Sequence, residues 1–147
     1  FGAISDVLTP SWFRPTPAVA IVIDTSGSMG EAQLARALAE VDGVCRTCGA
    51  WVTVLSVDAA VHATKKVLSS REVALVGGGG TDMTVGIEAA CNLRPRPHLI
   101  VVITDCYTPW PAEHPGIPVV IVDVLNGGAK GSYTPPAWAQ VIEVNDE

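Results

Sequence analysis

The stretch AIVIDTSGSMG, residues 20–30, decides how the rest of the chain is read. Ala20 to Ile23 are apolar and mostly β-branched, a composition that suits a strand. With Ala18 and Val19 in front, the apolar run is continuous rather than alternating. A strand of that kind is buried on both faces, as in parallel sheets covered by helices on each side. The run stops at Asp24, and Ser26 and Ser28 follow at alternate positions before a helical pattern begins. Alternation turns the oxygens of 24, 26 and 28 toward one centre and sends Thr25 and Gly27 away from it. Gly27 also allows the loop to fold tightly.

The chain downstream repeats the same grammar. Leu34, Leu38, Val41, Cys45 and Cys48 share one face of a helix that Gly49 ends. Residues 51–58 form a second strand, and 61–68 an edge strand joined to it by a tight turn at Ala59–Ala60. Residues 69–80 end in four glycines. A helix follows over 81–93, with Met83, Ile87, Ala90 and Cys91 on one face. Residues 98–105 are a buried strand that again ends in aspartate, 119–125 are a fifth strand, and 139–144 a short last one. Between them, 106–118 hold four prolines and leave little room for a helix. The pattern predicts an α/β fold: a doubly wound, mostly parallel sheet with one antiparallel edge strand and helices on both faces. In such a sheet the first and fourth strands are neighbours where strand order reverses, and ligands bind outside their carboxyl ends.

Composition bounds the function. A chain of 147 residues, 48% hydrophobic and 16% charged, is expected to be one globular domain. Residues 1–16 read as a lead-in and 17–147 as the domain; a start at Phe1 suggests a fragment of something longer. The net charge of −6 and nine scattered Lys and Arg argue against a nucleic-acid footprint. No apolar run reaches the roughly 20 residues of a membrane span. Four cysteines are too few for a disulfide scaffold, so a cytoplasmic protein is expected. Cys45 and Cys48 have CxxC spacing, but they lie on an apolar face at a helix end, which favours a structural role.

Three loops converge on the predicted crevice. They bring Asp24, Ser26 and Ser28 from the first strand, Thr81 from the glycine run, and Asp105 from the fourth strand. Two carboxylates and three hydroxyls are hard oxygen donors, which favour Mg²⁺, with Mn²⁺ or Ca²⁺ as alternatives. D-x-S-x-S after the first strand, a Thr after a glycine run, and the "ITD" ending the fourth strand resemble the von Willebrand factor type A (VWA) domain. The five oxygens resemble its metal-ion-dependent adhesion site. The resemblance implies ligation by the serine and threonine hydroxyls, with the aspartates direct or through water. It also implies an open position for a Glu or Asp of a protein partner. The wording GGGGTDM further resembles VWA-like domains that end metallopeptidase-like bacterial proteins found with MoxR-type AAA ATPases. Such a module is expected to bind rather than catalyse.

Plainer readings stand beside these. Ser28 with Glu31 fits a capping box, and Thr81 fits a helix N-cap, with Asp82 facing outward in the first turn. Tyr107, Trp110 and His114, on the proline-rich loop, either form a partner surface or pin that loop to the body. Cys106 stands where the VWA pattern commonly has glycine. Asp24 is also a conceivable phosphoryl acceptor for a Mg²⁺-dependent phosphoryl-transfer enzyme, but Ser26 occupies the place where dehalogenase-type phosphatases need a second acid. No P-loop and no G-x-S-x-G elbow is present. A metal-free structural scaffold is the remaining alternative.

Overall fold

The computed structural model describes residues 18–48, 52–73, 75–124 and 134–144. The lead-in over 1–16, Gly49 and most of the loop between the last two strands lie outside these residues. In chain order the elements are β1 (Val19–Asp24), α1 (Glu31–Cys48), β2 (Val52–Val57), β3 (Val61–Val67), a 3₁₀ turn (Ser70–Glu72), α2 (Met83–Cys91), β4 (Leu99–Thr104), β5 (Val119–Asp123) and β6 (Gln140–Glu143).

The strands form a single six-stranded sheet in the order β3-β2-β1-β4-β5-β6. Among the described strands only the β2–β3 pair is antiparallel. The Asp58 N–H donates to the Ala60 carbonyl across the tight turn that joins these two strands. β1 and β4 are direct neighbours, with Ile23 opposite Ile103, so strand order reverses between them as the pattern predicts.

Every residue of β1, β4 and β5 is buried, which explains why these stretches read as continuous apolar runs. Their side chains divide between two cores. Val19, Ile21, Ile23, Val101 and Ile103 face Ala37, Val41, Val44 and Cys45 of α1. Ala20, Val22, Ile100 and Val102 face Met83, Ile87 and Ala90 of α2. The α1 face centres on Ala37, Val41 and Val44, while Leu34 and Leu38 are only half-buried. The edge strand β3 is mostly exposed and carries Lys65 and Lys66, charges that discourage edge-to-edge association.

α2 lies close on the sheet because Gly86 has no side chain. A Cβ there would come 2.5 Å from Val22 Cγ1 and 3.2 Å from Val57 Cγ2. Gly86→Ala is therefore expected to destabilise the domain by about 1–3 kcal/mol through overpacking, although alanine is the better helix former. Urea denaturation measures this, and an unchanged or raised midpoint would show that α2 can withdraw freely from β1.

Candidate metal centre at the carboxyl ends of the strands

β1 ends by turning its last carboxylate into a network. Asp24 Oδ1 accepts from the Ser26 N–H at 2.9 Å, and Oδ2 accepts from Thr104 Oγ1 at 2.6 Å. Thr104 Oγ1 in turn accepts from the Cys106 N–H at 3.0 Å. Ser26 Oγ and Ser28 Oγ lie 3.2 Å apart. Asp24, Ser26 and Ser28 thus share one side of a loop.

Thr25 and Gly27 turn to the glycine run instead. Thr25 Oγ1 donates to the Val76 carbonyl at 2.7 Å, and Gly78 N–H donates back to the Thr25 carbonyl at 2.7 Å. Gly27 N–H donates to the Gly79 carbonyl at 3.0 Å. A side chain at Gly77 would collide with Thr25, so the run must be glycine where the two loops touch.

Asp58, at the end of β2, is the second anchor of that run. Its Oδ2 accepts from Gly79 N–H at 3.0 Å, while Oδ1 accepts from Ala60 N–H at 3.0 Å and lies 2.7 Å from His62 Nε2. Burial works to raise the Asp58 carboxyl, but these hydrogen bonds outweigh it and hold the group below its ordinary value. The Asp58 carbonyl accepts from Asp82 N–H at 2.9 Å, which ties the residue after Thr81 to the end of β2. Thr81 itself is half-buried.

Neither expected cap forms. α1 starts at Glu31, with Leu34 N–H donating to the Gly30 carbonyl and Gln33 Oε1 accepting from Gly30 N–H at 3.1 Å. Gly30 and Gln33 hold the helix end, so Ser28 is left to pair with Ser26. At α2 the cap is Asp82 rather than Thr81. Asp82 Oδ1 accepts from Thr84 N–H at 3.0 Å, and Thr108 Oγ1 accepts from Met83 N–H at 2.8 Å. An aspartate in extended conformation reaches the open N–H groups better than it serves as an outward charge.

Asp24 and Asp105 are both fully buried. Asp105 Oδ1 accepts from Tyr107 N–H at 3.1 Å, but Oδ2 is buried without a hydrogen-bond partner. Burial raises the Asp24 carboxyl above its ordinary value. Hydrogen bonds from Ser26 and Thr104 oppose that rise, and the charge of Asp105 adds to it. Two like charges and one orphaned carboxylate oxygen form an unbalanced arrangement that a cation would correct. The donor set is all oxygen, so the residues fit a hard divalent ion.

Cys106 adopts φ 69°, the left-handed conformation in which glycine is easiest, and its buried thiol is pushed up by desolvation and by the surrounding carboxylates. Of the three expected surface aromatics, Tyr107, 48% exposed, and His114 are exposed, and Trp110 is half-buried. Trp110 packs against the α2-side core, and His114 meets Trp138 edge-on at 5.6 Å. Both tie the proline-rich loop to the body. That loop contains no helix.

The signature of the family described as VWA-like domain (DUF2201) matches residues 19–145. The chain belongs to this VWA-like family. It is also 31% identical over 105 residues to an uncharacterized protein of Thermotoga maritima. That alignment covers 69% of this chain and 26% of the relative, so the chain spans about a quarter of the longer protein. Among the described residues, no helix is long and apolar enough to cross a membrane.

Sequence reasoning missed Thr104, Asp58 and Thr108, which hold the crevice together without facing it as ligands. Thr104→Val keeps the shape and removes the bond to Asp24. It is expected to lower stability by about 1–3 kcal/mol, the cost of leaving a buried charged acceptor unpaired. Denaturant unfolding in EDTA reads this directly, and an unchanged midpoint would mean that Thr104 does not hold Asp24.

Proposed function

We propose that this VWA-like domain is a metal-dependent protein-docking module. Asp24, Ser26, Ser28, Thr81 and Asp105 would hold Mg²⁺, with Mn²⁺ or Ca²⁺ as substitutes. A bound ion supplies the positive charge that attracts a Glu or Asp side chain of a protein partner. The observation that carries this reading is the buried, unpartnered Asp105 Oδ2 beside a second buried carboxylate.

The chain's own residues fit binding better than turnover. Ser26 N–H and Thr104 Oγ1 occupy both oxygens of Asp24, which restrains it as a nucleophile. No second acid stands at position 26 to transfer a proton. Tyr107, exposed directly after Asp105 and Cys106, would contact a partner beside the ion. The partner chemistry is an acidic segment, and a MoxR-type AAA ATPase working with a longer metallopeptidase-like protein is the assembly we favour. The match to part of a longer relative supports the view that this domain is one piece of a larger chain.

Thermal unfolding in EDTA against added Mg²⁺, Mn²⁺ or Ca²⁺ tests the metal. At about 100 times Kd, binding adds about 2.7 kcal/mol, which for a domain of this size raises Tm by about 5–10 °C. No shift at millimolar metal would favour the metal-free scaffold. Asp105→Asn relieves the like-charge contact. It is therefore expected to unfold in EDTA at the same temperature as the parent or higher, while losing the metal response. A variant that keeps the response would remove Asp105 from the ligand set, and phosphoester turnover by the parent would favour the enzyme reading.

A further inference from the structure

The opposite end of the sheet carries a second feature, independent of the carboxylate crevice. A cavity of about 500 Å³ opens there, lined by the start of β1, the end of β3 and the α2–β4 connection. Its size falls in the range of small-molecule sites. Its floor is apolar, formed by Ala20 and Leu93 with buried Pro97.

Its rim is cationic. Lys65, Lys66, Arg94 and Arg96 line it, four of the nine Lys and Arg in a chain of net charge −6. Strand register puts Lys66 opposite Thr53 and Thr64 opposite Leu55. These positions share the α2-side face of the sheet with Ala20 and Leu55. Lys65, opposite Val54 in the register, also lines the cavity, from the other face of the edge strand. Arg94 and Arg96 are exposed and approach from the loop after α2. Arg94 spends one guanidinium nitrogen, Nη1, on the Leu93 carbonyl at 2.8 Å and keeps the rest of its fork. Among the described residues, no carboxylate forms an ion pair with Lys66, Arg94 or Arg96.

His98 lines the cavity too, and its Nδ1 accepts from the Ala18 N–H at 3.3 Å. Thr53 and Thr64 bring hydroxyls to the same lining. Four cations around one mouth exceed what a single carboxylate would satisfy. Arginine forks match the tetrahedral oxygens of phosphate, and the apolar floor needs a flat or aliphatic body above it.

We propose that this cavity binds a phosphate ester with an apolar body, a nucleoside diphosphate by class. Lys66, Arg94 and Arg96 contact the phosphates, and the Ala20, Leu93 and Pro97 floor contacts the base. Ligand in this cavity sits at the amino ends of the strands, away from the candidate metal centre, so the proposal does not rest on metal binding.

Isothermal titration of the whole chain in EDTA, at low salt, tests it with ADP, pyrophosphate and adenosine as probes. ADP is expected to bind saturably, and more tightly than either pyrophosphate or adenosine. Arg94→Ala with Arg96→Ala is expected to weaken ADP binding by about tenfold or more, as is Lys66→Glu, since each removes charge-assisted contacts. The positions are exposed, so Tm of the variants should equal that of the parent. Affinity should also fall as salt rises. The proposal is overturned if ADP gives no saturable binding at millimolar concentration, or if binding survives both variants. Adenosine or pyrophosphate binding as tightly as ADP overturns it too, because then either the charge or the apolar body contributes nothing.

Discussion

Two carboxylates placed at the ends of adjacent parallel strands are the constraint around which this domain is arranged. Asp24 and Asp105 follow from the β1–β4 register, in which Ile23 stands opposite Ile103 and Thr104 falls beside Asp24. Both aspartates are fully buried, where an ionised group is costly unless paired. The surroundings answer with dipoles rather than with a lysine or arginine. Ser26 N–H, Thr104 Oγ1 and Tyr107 N–H each donate to one carboxylate oxygen, and one oxygen of Asp105 is left over. The topology contributes as well. α1 follows the loop after β1, and α2 follows the glycine run, so both helix N-termini lie at this end of the sheet. The partial positive charge at a helix start favours nearby anions within about a turn.

A site divided among three loops needs those loops held in register. The glycine run is held by backbone bonds from Thr25 and Gly27 on one side and by Asp58 on the other. Thr108, after β4, accepts from the first N–H of α2 and so joins the fourth-strand loop to the helix that follows Thr81. Each of the three loops is thereby tied to another by hydrogen bonds that do not involve the candidate ligands. That arrangement positions oxygen donors in advance, which reduces the ordering cost when something binds.

The mostly parallel sheet and the two-sided core were legible because burial on both faces leaves an unmistakable apolar run, as in residues 18–23 and 99–103. The edge strand was legible for the opposite reason, since Lys65 and Lys66 cannot sit in a sheet centre. The candidate ligands were readable as a pattern because they stand at strand ends at fixed spacing. What stayed hidden were contacts between residues far apart in sequence. Thr104 reads as one more β-branched strand residue until β4 is placed beside β1. Asp58 reads as a turn former, and only the folded chain brings Gly79 to it. The caps went astray for a local reason: Ser28 and Thr81 have the right chemistry, but Gly30 and Asp82 stand nearer the helix starts.

The same topology separates charge along the strands. In parallel strands every carboxyl end lies on one side, and here that side collects Asp24, Asp58, Asp105 and Asp123. The amino ends and the connection entering β4 collect Lys66, Arg94 and Arg96 instead. A net charge of −6 is therefore unevenly spread. An acidic partner approaching the carboxyl end would be repelled by those carboxylates unless a cation lay between them. On the docking function proposed above, binding at that end would be conditional on the ion: the buried carboxylates that would hold a metal would also exclude an acidic partner when the metal is absent.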